Sequence, residues 1–401
     1  MDQFDTTHDE LQVGGLPLSL LAERVGQTPF YAYDRSLIAA RVAGVLQALP
    51  QGVHLHYAIK ANPMPALVGF VRPLVDGMDV ASAGELKLAL DAGADPRTIG
   101  FAGPGKRDAE LRQAVAAGVL LHVESARELE ALAASAQALG RPARVALRIN
   151  PDFELRGAGM HMGGGPKPFG IDAEQVPAML RAMARDGLAF EGFHIYPGSQ
   201  NLRGNVIAES LHRSVELVQR LANGAPAPVR YVNLGGGWGI PYVAGEQRLD
   251  LAPVADALAQ VQAALGRALP EAQMVLELGR YLVGEAGIYV ARVIDRKMSR
   301  GQVFLVTDGG MHQHLAASGN FGQVIRRNYP VVIGNRLQAA ERESATVVGP
   351  LCTPLDVLAE RMELAVAQPG DLVVVLQSGA YGATASPQAF LGHPLCAEVL
   401  V

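Results

Sequence analysis

The strongest constraint on the fold is a regular alternation of short apolar runs with helical patterns between residues 53 and 278. The apolar runs are candidate strands, and there are eight of them: 53–59, 78–81, 98–102, 119–123, 143–149, 189–196, 229–234 and 273–278. Strands that alternate with helices pair in parallel, and eight such units predict a (β/α)8 barrel. A doubly wound open sheet fits the same alternation, so the pattern alone leaves both architectures open.

The pattern changes after Gly284. The segments that follow are short and β-branched, with no long helices between them: 286–296, 302–308, 329–333, 344–349 and 371–377. This pattern predicts a mainly antiparallel β domain. We therefore predict a barrel domain over residues 29–284 and a β domain over residues 285–401, with residues 1–28 joining the β domain.

Charge and cysteine content narrow the class of protein. The formal net charge is −5 and the arginines are scattered, so a nucleic-acid partner is not expected. No run approaches the roughly 18 apolar residues that span a bilayer, so we expect a soluble protein without a membrane partner. Two cysteines, Cys352 and Cys396, cannot build a disulfide framework, and this suits the reducing cytoplasm.

Lysine is rare in this sequence, and one of its five lysines, Lys60, follows the first candidate strand. A period of two places His54, His56, Ala58 and Lys60 on one face of this strand. An amine at a strand end in a crowded site loses its proton readily and can attack a carbonyl group. A structural lysine whose amine reaches water fits this segment equally well.

Polar residues and glycines follow several other candidate strands. They are Ser82, Arg148-Ile149-Asn150, His194-Ile195-Tyr196, Gly235-Gly236-Gly237 and Glu277-Leu278-Gly279-Arg280. The active site of a (β/α)8 barrel lies at the carboxyl ends of its strands. These residues are therefore expected to converge on Lys60.

The glycine run 235–237 allows two interpretations. Glycines let backbone N–H groups approach a phosphate, and the last strands of such barrels commonly hold one. A tight turn that needs positive φ explains the run equally well. Similarly, Glu277 and Arg280 can form a structural ion pair. An amine, a phosphate-binding turn and a carboxylate together fit pyridoxal phosphate, which needs a Schiff-base lysine and an acidic partner for its ring nitrogen.

Six ordered motifs resemble the pyridoxal-phosphate-dependent decarboxylases with an alanine-racemase-like barrel, such as diaminopimelate and ornithine decarboxylases. The resemblance covers nearly the whole chain. The motifs are Tyr57-Ala58-Ile59-Lys60-Ala61-Asn62, Gly192-Phe193-His194-Ile195-Tyr196-Pro197-Gly198-Ser199-Gln200, Gly235-Gly236-Gly237, Glu277-Leu278-Gly279-Arg280, Gly349-Pro350-Leu351-Cys352 and Ser378-Gly379-Ala380-Tyr381-Gly382.

The resemblance implies a role for each matching residue. Lys60 would hold the cofactor, Glu277 would keep its ring nitrogen protonated, and Cys352 from a second subunit would reprotonate the α-carbon. Arg280 would also lie near the substrate carboxylate, and Tyr381 would line the substrate site. The other implied cofactor contacts are Asp79, Arg148, His194, Ser199, Gly236, Gly237 and Gly279, with Arg280 and Tyr381 among the phosphate contacts. The implied assembly is a homodimer with shared sites, and no metal is expected.

The chain departs from the family pattern at two functional positions. Tyr196 stands where many relatives have a histidine that stacks on the cofactor ring, so Tyr196 or His194 is expected to take that role. Thr353 stands directly after Cys352, where decarboxylases of diamino acids place an acidic residue for the distal amine. A buried ammonium without a carboxylate is costly, so a free diamino acid is not the expected substrate.

Two further stretches resemble a subgroup from biosynthetic clusters, some of whose members act on amino-acyl groups attached to carrier proteins. These stretches are 159–170 and 352–356. The expected activity is α-decarboxylation of an L-amino acid or of its acylated or carrier-bound derivative. A racemase of the same fold is the first alternative, but Glu277 and Cys352 do not match its pattern. The second, a non-catalytic cofactor carrier, leaves the segment 285–401 unexplained.

Overall fold

The structure is a computed structural model that describes residues 3–154, 160–183, 187–321, 323 and 326–401. By their internal contacts, these residues form two compact units. One unit comprises residues 42–240 and 247–281, and the other comprises the N-terminal residues through 41, residues 241–246 and residues 282–401.

The first unit is built on eight parallel strands that close into a barrel. In chain order they are β1 (Val53–Ala58), β2 (Gly77–Val80), β3 (Ile99–Phe101), β4 (Leu120–Val123), β5 (Ala143–Asn150), β6 (Leu188–Ile195), β7 (Tyr231–Gly236) and β8 (Gln273–Leu278). Strand β8 pairs in parallel with β1, and Leu276 lies opposite Leu55. This pairing closes the ring and rules out the open sheet, so the predicted (β/α)8 barrel is confirmed.

The α-helices of the described residues mostly connect these strands. They are Leu18–Val25, Arg35–Ala48, Pro65–Val71, Ala83–Asp91, Asp108–Ala117, Ala126–Leu139, Val176–Ala182, Gly204–Ala222, Ala252–Ala268 and Arg280–Val283. Short 3-10 turns occur at Ile59–Ala61, Arg72–Leu74, Pro96–Thr98, Gly284–Ala286, Ala383–Ala385 and Phe390–Gly392. None of the described helices combines the length and the apolarity that a membrane crossing requires.

Helical periodicity and serine caps place these helices around the barrel. The helix Gly204–Ala222 buries Ile207, Leu211, Val215 and Val218, which recur every three or four residues along one face. Two other helices begin directly after strands β2 and β4, where Ser82 and Ser125 each accept a hydrogen bond from the backbone N–H three residues later. These caps start the helices close to the strand ends and keep the connecting loops short.

The second unit is a mixed β-sheet with mainly antiparallel pairing. Its strands are Phe30–Tyr33, Gly287–Ser299, Gln302–Thr307, Val331–Ile333, Arg342–Val348, Val357–Ala365, Leu372–Val375 and Ala397–Leu400. Two of the pairings are parallel: Gln302–Thr307 with Arg342–Val348, and Ala397–Leu400 with Phe30–Tyr33. The other pairings in this sheet are antiparallel, which agrees with the predicted β domain.

The N-terminal segment adds a small sheet of three strands to this second unit. The strands are Thr6–Thr7, Glu10–Val13 and Leu16–Pro17, and the Leu11 N–H donates to the Gly334 carbonyl. The strand Phe30–Tyr33 lies within the range 29–284 predicted for the barrel, but it pairs with Gly287–Ser299. All four of its residues are buried.

Candidate active site

The carboxyl ends of strands β1 and β8 bring a lysine beside a buried carboxylate. Lys60 lies in the turn Ile59–Ala61 directly after β1, and its Nζ is 3.9 Å from Oε1 of Glu277 on β8. The Lys60 side chain is 42% exposed, whereas that of Glu277 is 5% exposed. One residue of the pair is therefore open to a ligand, and the other is fixed in the protein interior.

Gly279 lets the chain after β8 approach the lysine turn. A Cβ at this position would lie 2.8 Å from the Ala61 Cβ and 3.2 Å from the Ala58 carbonyl oxygen. Any larger residue would push the two strand ends apart, so a glycine here helps to place Glu277 next to Lys60.

His194 and Tyr196, two residues apart at the end of β6, contact different members of this pair. His194 is 1% exposed, and its Nε2 lies 3.2 Å from Oε2 of Glu277. The half-buried Tyr196 places its ring 5.3 Å from the Lys60 Nζ, a cation–π distance. The sequence alone could not divide the two roles, and in this arrangement His194 orients the carboxylate while Tyr196 lies beside the amine.

The surroundings of Glu277 keep its carboxylate charged. Asn233 Nδ2 donates to Oε2 at 3.3 Å. Burial raises the pKa of Glu277, but the hydrogen bond and charge of His194, together with the charges of Lys60 and Arg148, outweigh burial and lower this pKa to about 2. A carboxylate with these partners can hold a protonated ring nitrogen.

The glycine run after β7 packs closely against the segment that carries His194 and Ser199. Gly235 and Gly237 have φ of +72° and +71°, and a Cβ on Gly237 would lie 2.0 Å from the Gly198 carbonyl oxygen. A Cβ on Gly236 would lie 2.1 Å from the Glu277 carbonyl oxygen. Gly235 and Gly237 therefore form a turn with positive φ, and this turn also brings bare backbone next to Ser199 and Glu277.

Arg148, at the end of β5, belongs to a buried network of charges. Its Nη1 donates to Oε1 of Glu124 at 2.9 Å, and the same oxygen accepts from the Gly103 N–H at 2.6 Å. The other oxygen of Glu124 accepts from the Gly170 N–H at 2.9 Å. Arg148 is thus linked through Glu124 to Gly170, the last residue of the stretch 159–170, of which residue 159 lies outside the described part of the chain.

The sequence analysis missed a second ion pair in this network. Lys106 and Glu128 have side chains that are each 2% exposed, and their Nζ and Oε1 are 3.0 Å apart. The Lys106 amine also donates to the carbonyl oxygens of Gly103 and His122. The sequence signal was the spacing Ser125-x-x-Glu128, which resembles a capping box, but the partner lysine comes from a different strand end.

Asp79, on β2, is linked to His56 rather than directly to Lys60. Its Oδ2 is 3.2 Å from Nδ1 of His56, and both side chains are buried. Burial raises the pKa of Asp79, His56 opposes this shift, and the nearby charge of Glu277 adds to it.

The remaining predicted site residues lie in the β-sheet unit. Cys352 is exposed, Thr353 is half-buried, and Tyr381 adopts a left-handed conformation with φ of +54°. Among the described residues, no group of three or more His, Cys, Asp or Glu side chains is arranged to hold a metal ion.

Asp356 holds the loop that carries Cys352 and Thr353. It is 2% exposed, and its two oxygens accept from the N–H groups of Met311 at 2.6 Å and Leu351 at 2.8 Å. The carboxylate of Asp356 therefore has a structural role and stabilises residues 349–356 from within.

Comparison with known proteins adds independent findings. Residues 35–284 match the family described as pyridoxal-dependent decarboxylase, pyridoxal binding domain. The chain is 39% identical over 380 residues to L-glutamyl-[BtrI acyl-carrier protein] decarboxylase of Niallia circulans, which covers 93% of this chain and 89% of that protein. It is 33% identical over 395 residues to the diaminopimelate decarboxylase of Aquifex aeolicus, which covers 98% of this chain and 90% of that protein.

A solved structure supports the same relationship. The crystal structure of diaminopimelate decarboxylase from M. jannaschii in co-complex with L-lysine matches with a TM-score of 0.90 and 25% identity. The match covers 100% of this chain and 93% of that chain.

Proposed function

This chain belongs to the pyridoxal-dependent decarboxylases, and from that premise we propose that its substrate is an L-aminoacyl group attached through its far end to a carrier protein. The enzyme is a carboxy-lyase that uses pyridoxal 5'-phosphate and releases CO2 from the α-carbon of an amino acid or of such a derivative. The relative with 39% identity carries this kind of substrate in its name, L-glutamyl-[BtrI acyl-carrier protein].

The groups around Lys60 fit the cofactor. An exposed amine lies 3.9 Å from a buried carboxylate, and a glycine turn lies beside that carboxylate. When bound, pyridoxal phosphate supplies an electron sink for the carbanion that remains after CO2 leaves. In the proposed mechanism, Lys60 holds the cofactor covalently and Glu277 accepts the hydrogen bond from its ring N–H.

His194 and Tyr196 position these two groups. His194 holds one oxygen of Glu277 in place and presents its ring beside the site, whereas Tyr196 supports the Lys60 amine. Arg148 is hydrogen-bonded to Glu124, and Asp79 contacts His56. Both pairs are proposed to help orient the cofactor.

The phosphate group is proposed to bind at the backbone of Gly236 and Gly237, with Ser199, Arg280 and Tyr381 as further contacts. The close packing of Gly237 on Gly198 supports this assignment, because it brings the turn and the Ser199 segment together without side chains between them. Gly279 packs against Ala58 and Ala61 in the lysine turn, and Arg280, the next residue, is also proposed to contact the α-carboxylate of the substrate.

The composition of the loop 349–356 carries the substrate proposal. A free diamino acid has a distal ammonium, which needs a carboxylate partner when it leaves water. The loop contains a single acidic residue, Asp356, which is buried and accepts two backbone hydrogen bonds. Thr353 follows Cys352 in place of an acid, so this loop suits a distal end that is neutral and acylated.

Cys352 is proposed to return a proton to the α-carbon. Its exposed thiol stands on a loop whose base is fixed by Asp356, so the loop can present it to a second copy of the chain. The proposed assembly is a homodimer in which each Cys352 completes the partner's site.

CO2 release from the purified holoenzyme tests the proposed substrate. The panel contains free ornithine, lysine, diaminopimelate and glutamate, an N-acylated diamino acid, and a glutamyl group on a carrier protein. The carrier-bound substrate should give the highest kcat/KM. A higher kcat/KM for any free diamino acid contradicts the proposal.

Two matched variants examine the role of Thr353. Thr353→Asp should raise kcat/KM toward free diamino acids by about 10- to 100-fold, the range that a charge-assisted hydrogen bond supplies. Thr353→Asn has a similar shape without the charge and should not raise it. Equal changes of kcat/KM in the two variants would show that the charge at position 353 does not determine substrate specificity.

A further inference from the structure

The interior of the barrel contains an unusual layer of polar side chains. Barrels of this class are normally filled by branched apolar residues. Here six inward polar residues, each no more than 6% exposed, occupy the interior: His56, Asp79, His122, His194, Asn233 and Glu277. Three of the six are histidines, and only His194 and Glu277 contact the cofactor in the proposed mechanism.

Two glycines make room for this polar layer. A Cβ on Gly77 would lie 2.4 Å from Nε2 of His56. A Cβ on Gly100 would lie 2.4 Å from Oδ1 of Asp79 and 3.1 Å from Nε2 of His122. The side chains of Asp79 and His122 therefore converge over Gly100, where any other residue would displace them.

Polar atoms in this layer have no hydrogen-bond partner within the described residues. Oδ1 of Asp79 and both ring nitrogens of His122 are buried without one. Buried polar atoms in proteins are satisfied by protein groups or by ordered water, and leaving one unpaired costs about 1–3 kcal/mol. No protein group of the described residues lies within hydrogen-bonding distance of these atoms, so water is their expected partner.

A cavity at the amino-terminal ends of the strands gives water a route to them. Its volume is about 390 Å³, and its lining includes His54, His56, Gly100 and Tyr231. It lies at the end of the barrel opposite Lys60 and Glu277, since it is lined by the first residues of several strands. His56 of the polar layer and Gly100, next to Asp79 and His122, thus form part of its wall.

The lining of this cavity contains three arginines and three carboxylates, and two of each form ion pairs with each other. Arg144 Nε lies 3.0 Å from Oε1 of Glu191, and Arg230 Nε lies 3.3 Å from Oε2 of Glu271. A rim that balances its own charge does not select an ion. The cavity is polar and roomy enough for several waters.

A line of neighbouring polar side chains runs from the cavity wall to Glu277. His56, in the cavity wall, contacts Asp79 at 3.2 Å through Nδ1. Asp79 Oδ1 and His122 Nε2 both lie beside Gly100 without a direct hydrogen bond between them, so a water must bridge them. The rings of His122 and His194 have centroids 4.4 Å apart, and His194 Nε2 is 3.2 Å from Oε2 of Glu277. His56 is also the register partner of Glu277 across β1 and β8.

We propose that water in this cavity and the side chains of His56, Asp79, His122 and His194 form a proton relay between solvent and Glu277. A proton passes from cavity water to His56, and each group in the line, bridged by water where no direct hydrogen bond exists, gives one proton to the next until one reaches Glu277. The reverse sequence returns one proton from Glu277 to the cavity water, so the exchange carries no net charge. The route is separate from the substrate entrance, which excludes water when a substrate binds. This relay rests on the family's cofactor and does not depend on which substrate is decarboxylated.

The state of His122 suits a relay. Burial lowers the pKa of His122 far below the ordinary range, and the neighbouring His194 lowers it further. Lys106, Arg148 and His56 act in the same direction. A neutral imidazole both donates and accepts a hydrogen bond, which a charged one does not.

Proton exchange at the cofactor tests the relay without substrate. The holoenzyme is loaded with ring-¹⁵N pyridoxal phosphate, and saturation transfer from water measures exchange of the ring N–H proton. His56→Phe and His122→Phe replace the imidazole with an aromatic ring that has no nitrogen, and each should slow this exchange by about tenfold or more, since exchange then requires local opening of the fold. His54→Phe, at the exposed rim of the same cavity, is the matched control and should leave the rate unchanged.

Each outcome bears on the relay. Exchange within twofold of wild type in a folded His122→Phe variant would overturn it, as would equal slowing in the His54→Phe control. If one variant fails to fold, the other still decides. A high-resolution crystal structure provides a second measurement: ordered water bonded to Asp79 Oδ1 or to His122 supports the relay, and a dry gap over Gly100 contradicts it. The CO2 assay remains unaffected by this result, so the relay and the substrate proposal fail separately.

Discussion

Replacing Glu277 with glutamine should reduce, by a predictable amount, the loss in free energy of unfolding that the cofactor-free protein shows at low pH. In the folded chain, His194 and neighbouring cations overcome burial and lower the pKa of Glu277 from 4.5 to about 2. At 1.36 kcal/mol per unit, the charged carboxylate contributes about 3 kcal/mol to stability. Because the folded pKa lies below the unfolded one, this contribution is complete at neutral pH and is lost as the pH falls through the range from about 4.5 to about 2.

Urea unfolding of the apoprotein between pH 7 and pH 3 measures this contribution. Wild type should be more stable than Glu277→Gln at pH 7, and the difference in free energy of unfolding should narrow by about 2 kcal/mol at pH 3. Glu174→Gln, which removes a carboxylate at an exposed position, serves as the control. A Glu277→Gln difference that stays constant to within about 0.5 kcal/mol over this range would refute the reasoning.

Three further predictions concern other parts of the chain. Lys106→Met leaves Glu128 buried and unpaired, so it should lower the free energy of urea unfolding by about 3–5 kcal/mol. The double variant Lys106→Met/Glu128→Leu should recover most of this loss. A single variant as stable as wild type would contradict a stabilising role of this buried ion pair. Gly237→Ala should lower the melting temperature more than Gly245→Ala, because both positions have positive φ but only Gly237 has a backbone oxygen, at 2.0 Å, where the Cβ would lie; equal shifts would contradict this packing. Cys352→Ala should still release CO2 but should no longer direct protonation to the α-carbon, so that cofactor is converted to its pyridoxamine form, which absorbance detects. An unchanged yield of the amine product would show that Cys352 is not the proton donor.

The barrel was predictable from sequence because its strands are buried on both faces. Such strands appear as nearly continuous apolar runs, and each of the eight candidate runs matches a strand to within about two residues. The site residues at the strand ends were predictable for the same reason, because each of them ends or follows a predicted strand: Lys60, His194, Gly236 and Glu277. The contacts between these side chains were not predictable, because a sequence does not show which side chains face each other.

The β-sheet unit was harder to predict where composition opposes the structure. The strand Val357–Ala365 reads Val-Leu-Ala-Glu-Arg-Met-Glu-Leu-Ala, a composition typical of a helix, yet it pairs along Arg342–Val348. Tertiary pairing decides its conformation. The same limit applies to Lys106 and His122, whose partners come from other strand ends and become visible only once the barrel closes.

Reductive trapping of the cofactor tests the central claim most directly. Borohydride treatment of the holoenzyme followed by peptide mass spectrometry locates the lysine that carries the pyridoxyl group. The arrangement of Lys60 beside Glu277 and Tyr196 predicts the label on the peptide that contains Lys60, and Lys60→Ala should abolish it. A label on any of the other four lysines, or no label at all in active enzyme, would contradict the assignment of this barrel end as the catalytic centre.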